Sequence, residues 1–235
     1  MLQSRLKEPI TLKASHLRQV EILQGLPVDF ISNFLAHSSG YRVLAGTEIL
    51  AQQEESRAVF LLLSGTVRIN MLATSGRQVT YQLLDAGAMF GEMAAIDHLP
   101  RSASVSSESD VILAEISGED FIALCRKNAD FGVNVMVRLA RLARWLTSRV
   151  FEYHTYNVRG RVYVELLRLS AQDSGTTFHR ISDRDMASRV GTTRENVSRT
   201  HAKLIEAKII ERTPNGLHVL DANALRTLLT DCEFN

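Results

Sequence analysis

Cysteine is scarce in this chain: Cys125 and Cys232 are the only two among 235 residues, and they lie far apart. Two thiols cannot build a disulfide framework, a four-cysteine iron–sulfur cluster or a four-cysteine zinc site. Also lacking is any apolar run near the ~20 residues that a membrane span needs. The first ten residues are polar and mixed in charge, unlike a secretory signal or an arginine-rich transit peptide. These absences predict a soluble protein of a reducing compartment, most simply the cytoplasm. Charge of one sign is missing too. The net charge is +1, and a division near residue 155 leaves 15 basic against 16 acidic residues before it and 12 against 10 after it. Contact with nucleic acid must therefore rest on local placement of charge. What is present is a composition 45% hydrophobic and 23% charged, enough for packed cores. The length allows one large domain or two modest ones.

Along the chain the hydrophobic pattern changes twice. Residues 15–40 carry Leu17, Val20, Ile22, Leu23, Ile31 and Leu35 at loose helical intervals, which predicts short helices. From Tyr41 to Gly118 come short stretches at 43–50, 58–63, 66–72, 79–84, 103–105 and 111–116. Gly46, Gly65, Gly76, Gly87 and Gly91 punctuate them. Strands at such spacing predict a sandwich or barrel. After Asp130 the period becomes helical and long. Val135, Leu139, Leu142, Leu146 and Tyr153 share a four–three seam, with Arg149 at the remaining position and Met136, Ala140, Ala143 and Val150 beside it. That stripe reads as a helix pairing with its own copy, or as an amphipathic helix packed on its own domain. Tyr156-Asn157-Val158 breaks it, a hinge before a helix from Gly160 to Gln172. A loop is expected at Asp173-Ser174-Gly175.

Residues 181–204 read ISDRDMASRVGTTRENVSRTHAKL. Met186, Ala187 and Val190 face inward on one helix, Gly191 permits a tight turn, and Thr192 or Thr193 can cap a second helix. There Val197, Leu204 and Ile205 are expected in the core. Arg194, Glu195, Ser198, Arg199 and Lys203 share the opposite face. Arginine offers paired donors to guanine and glutamate accepts from cytosine, so this face suits a major groove. Thr193 sits where free helix N–H groups can hold a phosphate. The runs 209–212 and 217–220 around Pro214-Asn215-Gly216 predict a hairpin, placed as a wing. A solvated, salt-bridged face is the plainer reading of the same charges.

A second motif lies at 87–105, GAMFGEMAAIDHLPRSASV. One helical turn at Glu92–Ala95 would offer N–H groups to an anion. Arg101 adds a planar donor fork and Ser102 a hydroxyl. Glu92 repels phosphate and instead suits a neighbouring sugar hydroxyl. Anion site and sugar acceptor together specify a nucleotide. An Arg101–Glu92 salt bridge beside a bend at Gly91 is the alternative. If Arg101 serves a ligand in this way, Arg101→Ala is expected to abolish ligand response and leave the fold intact.

The run GEMAAIDHLPRSASV resembles the phosphate-binding cassette of cyclic-nucleotide-binding domains. With the long helix and the TTRENVSR segment, the chain is identified as resembling the Crp/Fnr family of bacterial transcription regulators from about Leu17 to Leu220. The resemblance implies an α+β protein in three parts: a cyclic-nucleotide-binding β-roll (jelly-roll) at 1–130, a dimerisation helix and hinge at 131–157, and a winged helix-turn-helix at 158–235. It implies that Gly91 and the Met93 backbone line the phosphate pocket. Glu92 takes the ribose hydroxyl, and Arg101 and Ser102 hold the cyclic phosphate. Hydroxyls on the dimer helix would touch the base of cAMP or cGMP, one from the partner subunit. Thr147 and Ser148 are the residues available. Counting back from Val158-Arg159-Gly160-Arg161 puts the family's pair on Leu146 and Thr147, which favours Thr147. Arg194, Glu195 and Arg199 match base-reading positions for TGTGA-like half-sites of a palindromic operator. Ser198 matches the other branch of the family. A homodimer on double-stranded DNA, with contacts to RNA polymerase, follows from the same resemblance.

Other functions fit less well. The seven histidines are dispersed, no HExxH, nucleophile elbow or P-loop appears, and Glu54-Glu55 reads as solvated loop. No enzyme and no metal are expected. An oxygen-sensing cluster needs more cysteines, and His98 is a weak haem ligand. A different effector, or none, stays open. The helix-turn-helix argues against a kinase regulatory subunit.

Overall fold

The computed structural model describes residues 7–72, 78–172, 181–213 and 216–233. It divides into two compact units, Met1–Leu142 and Ala143–Asn235. The division falls within one helix, inside the segment expected at 131–157.

The first unit contains β1 (Lys7–Ile10), α1 (Ala14–Leu17), a 3-10 turn (Glu21–Leu23), α2 (Val28–Ala36), β2 (Ser38–Val43) and β3 (Glu48–Leu50). Then come β4 (Val59–Ser64), β5 (Thr66–Leu72), β6 (Gln78–Asp85), β7 (Met89–Phe90), α3 (Glu92–Asp97), β8 (Ser104–Ser107), β9 (Val111–Ile116), α4 (Gly118–Lys127) and the first part of α5 (Ala129–Thr155). The strands form two antiparallel sheets, β1-β2-β9-β4-β7 and β3-β8-β5-β6.

β4 explains the architecture. Its sequence VFLLL is apolar without alternation because both faces are covered. Val59, Leu61 and Leu63 join a core with Leu17, Phe34, Phe121 and Phe131 from the helices. Phe60 and Leu62 point the other way, among Val67, Phe90, Val105 and Leu113 inside the roll. The Phe60 and Phe90 rings stack at 5.2 Å. Each such side chain contributes about 1.5–3 kcal/mol of hydrophobic stabilisation. The stretch 43–50, expected as one strand, is two. The chain turns at Gly46 (φ 78), whose N–H donates to the Ser107 carbonyl at 2.8 Å. β1 and β7, unexpected from the sequence, are short and lack a clear alternation.

The second unit holds the rest of α5, then α6 (Val158–Gln172), α7 (Asp183–Val190), α8 (Arg194–Glu206), the antiparallel pair β10 (Ile210–Thr213) and β11 (Gly216–Val219), and α9 (Ala222–Thr230). Its core gathers Val162, Leu166, Met186, Val190, Val197, Leu204, Ile210 and Leu225. Ile205, expected inside, is 40% exposed, because α8 buries its 197–200–201–204 stripe instead. The loop at Asp173-Ser174-Gly175, Gly76, and Pro214-Asn215 of the hairpin turn lie outside the described residues. α9 was not signalled by the sequence, although Asp221 caps it by accepting from the Ala224 N–H at 2.9 Å.

α5 corrects the expected seam. Val135 and Leu139 pack into the first unit's own core. Arg149 is taken up by ion pairs, and the Tyr153 ring lies under the Arg161 guanidinium at 4.7 Å. The exposed stripe is the neighbouring one: Val133, Met136, Ala140, Ala143, Thr147, Val150 and His154, at alternating three- and four-residue steps. The break at 156–157 is a bonded corner. Tyr156 bridges Glu233, and the Asn157 N–H donates to the Cys232 carbonyl at 3.0 Å.

Candidate effector and DNA-binding sites

β7 delivers the chain to Gly91, which caps α3 in the left-handed region (φ 85). A Cβ there would stand 2.9 Å from the Ala58 carbonyl oxygen and 2.9 Å from Arg101 Nη1, so conformation and space both require glycine. Glu92 opens α3 and is 4% exposed. Arg101, 2% exposed, follows the helix on an extended segment tied by backbone bonds to residues 53 and 54. Its Nε donates to Ser56 Oγ at 3.0 Å, Nη1 to the Gly91 carbonyl at 2.7 Å and Nη2 to the Ala58 carbonyl at 2.7 Å. Each terminal nitrogen keeps a second N–H outside these bonds.

The direct Arg101–Glu92 ion pair is not formed, so that alternative reading fails. Burial pushes the Glu92 carboxyl above its ordinary value, against the pull of Arg138, its own backbone N–H and Arg101. Burial also lowers the Arg101 guanidinium, with Glu54, Glu115 and Glu92 opposing. The pocket therefore offers an acceptor without a paired cation beside a guanidinium with donors to spare. Those are the two requirements of a sugar hydroxyl next to an anion. Ser102 and Met93 flank it on the surface, with Ser102 Oγ donating to Met93 Sδ at 3.9 Å.

Sequence reasoning missed Arg138 of α5. Its Nη2 donates to the Met89 carbonyl at 2.6 Å, its Nε is buried without a partner among the described residues, and its charge acts on Glu92. Only its helical placement could have flagged it. Sequence reasoning also missed that Arg101 is structural. Because it holds two carbonyls, Arg101→Ala cannot leave the fold untouched.

The first unit thus gathers Gly91, Glu92, Met93, Arg101 and Ser102. Thr147 and Ser148 belong to the second unit. Both are exposed, and their hydroxyls donate back to the Ala143 and Arg144 carbonyls at 3.0 and 3.1 Å.

In the second unit Ser182 caps α7, and Gly191 (φ 66) ends it. Thr193 caps α8, its Oγ1 accepting from the Asn196 N–H at 3.4 Å. Arg161 braces the turn, Nε donating to the Val190 carbonyl at 2.9 Å. On α8 the outer residues Arg194, Glu195, Ser198, Arg199 and Lys203 are all exposed, while Val197, Thr200, His201 and Leu204 are buried. The Glu195 carboxyl is held low by its own backbone N–H and the Thr193 hydroxyl, so it stands ionised as an acceptor. Arg199 and Lys203 also line a recess with Val158, Arg159 and Asn196, which adds Arg159 to this face. α7, α8 and the β10–β11 pair form a winged helix-turn-helix.

The second unit also holds a buried ion network among α5, α6 and α7. Glu165, 1% exposed, accepts from Arg149 Nη2 at 2.8 Å, from Arg189 Nη1 at 3.1 Å and from Arg168. Glu152 pairs with Arg149 at 2.9 Å and with Arg168. Burial would raise the Glu165 carboxyl, but Arg149, Arg168 and Arg189 hold it below the ordinary range. Among the described residues no group of three or more His, Cys, Asp or Glu is placed to hold a metal, and no helix is long and apolar enough to cross a membrane.

Comparison with known proteins covers both regions. Residues 42–128 match the model of the cyclic nucleotide-binding domain, and residues 140–228 that of the Crp-like helix-turn-helix domain. A cyclic AMP receptor protein of Thermus thermophilus is 32% identical over 183 residues, 78% of this chain and 84% of that protein. The crystal structure of the T. thermophilus catabolite activator protein is similar, with 29% identity and a TM-score of 0.52 over 90% of this chain and 99% of that one. A mutant of CooA from Carboxydothermus hydrogenoformans, 19% identical, has the same fold, with a TM-score of 0.74 over 97% and 99%.

Proposed function

The chain belongs to the Crp/Fnr family of cyclic-nucleotide-binding, helix-turn-helix transcription regulators, and from that premise we propose a cAMP-responsive homodimer that binds palindromic, TGTGA-like operators in the cytoplasm. The observation that carries this reading is the cassette: Glu92 buried without an ion pair, beside Arg101 with unused donors. Gly91, the Met93 backbone, Arg101 and Ser102 hold the cyclic phosphate, and Glu92 accepts from the ribose hydroxyl.

The exposed α5 stripe pairs with its copy, and Thr147 lies on that stripe while Ser148 lies beside it. Thr147 is thus the hydroxyl that meets the base, and a hydroxyl serves adenine or guanine. Pairing of two copies would place recognition helices about 34 Å apart, in successive major grooves. Arg194, Glu195, Ser198 and Arg199 read bases, and Thr193 and Lys203 hold phosphates. The ligand shifts the balance only by its preference for the DNA-binding arrangement. Contacts to RNA polymerase belong to the same proposal.

Calorimetric titration with cAMP and cGMP separately, with operator binding measured with and without each, tests it. Binding of cAMP with tighter operator binding is the expected result. If neither nucleotide binds, the cassette is structural and a regulator with another effector, or none, takes its place.

A further inference from the structure

The inner face of α8 carries a polar cluster that the DNA-reading face does not use. His201 is 2% exposed, at the centre of the recognition helix. Its Nδ1 lies 2.9 Å from Asp183 Oδ1, at the start of α7. Arg212, from β10 of the wing, places Nη2 2.5 Å from the same oxygen and 3.1 Å from His201 Nδ1. One carboxylate oxygen thus accepts from an imidazole and a guanidinium on two different elements. Arg212 Nη2 and Asp183 Oδ1 both face Nδ1, and we assign the proton to Nδ1 because the carboxylate is the charged, nearer partner and Arg212 already donates to Oδ1, which leaves Nε2 a bare acceptor. Nε2 is buried with no partner among the described residues.

We infer that His201, Asp183 and Arg212 form a clasp that sets the recognition helix between α7 and the wing, and that acid opens this clasp and blunts operator selectivity. Protonation of His201 would put a second N–H on Nε2, where nothing accepts it. It would also add a positive charge beside Arg212, whose guanidinium already engages the Asp183 oxygen. Asp183 from α7 and Arg212 from β10 are the charged groups facing the imidazole among the described residues. Burial lowers its affinity for a proton, Asp183 opposes this, and Arg212 adds to it. The neutral form therefore belongs to the closed clasp. It is complete above the ordinary histidine range and is lost as pH falls below it. His201, Asp183 and Arg212 are positioning residues, since none of them lies on the base-reading face.

This inference rests on the DNA-binding reading. Its test uses the full chain with cAMP and a duplex that the protein selects from a random pool. Selectivity, the ratio of affinities for that duplex and for random DNA, is followed from about pH 7.5 to 5.5. Wild-type selectivity should fall roughly threefold to tenfold, tenfold per pH unit being the limit for one proton. His201→Leu should lower selectivity at neutral pH and flatten the profile. His201→Asn restores an N–H near the Nδ1 position and should recover part of the selectivity, also with a flat profile. Nitrogen NMR of the imidazole should show the Nδ1–H tautomer and titration below that of free histidine. A Leu variant as selective as wild type, an Asn variant with the wild-type acid slope, or the opposite tautomer would each overturn the clasp. Failure to select any duplex, with the tautomer as described, would overturn the DNA-binding reading itself.

Discussion

Glu92 and Glu165 are buried almost equally, at 4% and 1% exposure, one in each unit, yet their carboxyls shift in opposite directions. Burial raises both. Around Glu165 three arginines make direct ion pairs and reverse the shift. Around Glu92 the nearby cations Arg138 and Arg101 spend their bonds on carbonyls instead. Burial therefore does not decide a carboxylate's charge; the commitments of its neighbours do. A glutamate whose neighbours are committed to it holds structure. A glutamate whose neighbours are committed elsewhere keeps its acceptor capacity for a ligand.

The contrast can be broken by substitution. The largest effect is expected from Glu165→Ala, which takes the ion pair from Arg189 and leaves Arg149 and Arg168 with Glu152 alone, and should cost the second unit about 3–5 kcal/mol in calorimetric unfolding. A cost near zero would show that the arginines find water instead. Next, Arg101→Ala should destabilise the first unit by about 2–3 kcal/mol, because the Gly91 and Ala58 carbonyls lose their donor, and it should remove nucleotide binding in the titration. Arg199→Ala sharpens the comparison from outside the cores. Unfolding should change by less than about 0.5 kcal/mol, while operator discrimination falls by about 1–3 kcal/mol in a competition assay. Glu92→Gln reverses the sign, with a gain of under about 1 kcal/mol at neutral pH and clear loss of nucleotide affinity.

The pH dependence separates the two glutamates by sign. The contribution of Glu165 is present above its ordinary value of 4.5 and is lost as pH falls below it. That of Glu92 is present below 4.5 and is lost as pH rises through its raised value. Wild type minus Glu92→Gln stability should therefore decrease upward from about pH 4.5, and wild type minus Glu165→Gln should increase over the acid range.

The elements best read from sequence were those governed by local rules. β4, β5, β6 and β9 follow from short apolar runs between turns, α8 from its cap and three–four spacing, and the β10–β11 pair from its turn residues. The cassette was legible because its glycine, glutamate and arginine have few other reasons to occur together. What failed depended on choices between surfaces. Val135 and Met136 are both apolar, and nothing local says that the first unit's core takes Val135 and leaves Met136 61% exposed. Arg149 looks like a seam residue until Glu165, sixteen positions on, claims it. Arg138 and the His201 cluster act through partners far away in sequence, and Tyr153 through Arg161 on the next helix, which periodicity does not report.

The two-faced burial of β4 has a consequence for how damage would be seen. Val59–Leu63 is a five-residue segment without charge or proline and of high β-propensity, and it is harmless only while the helices cover one face and the roll interior the other. Any variant that loosens the roll presents that strand to other copies, and such segments self-associate. Core lesions in the first unit will therefore register as insoluble or degraded protein, whereas lesions on the outer face of α8 will leave soluble chains that bind DNA without choosing a sequence. Abundance measured alongside activity sorts the two classes without any further structure.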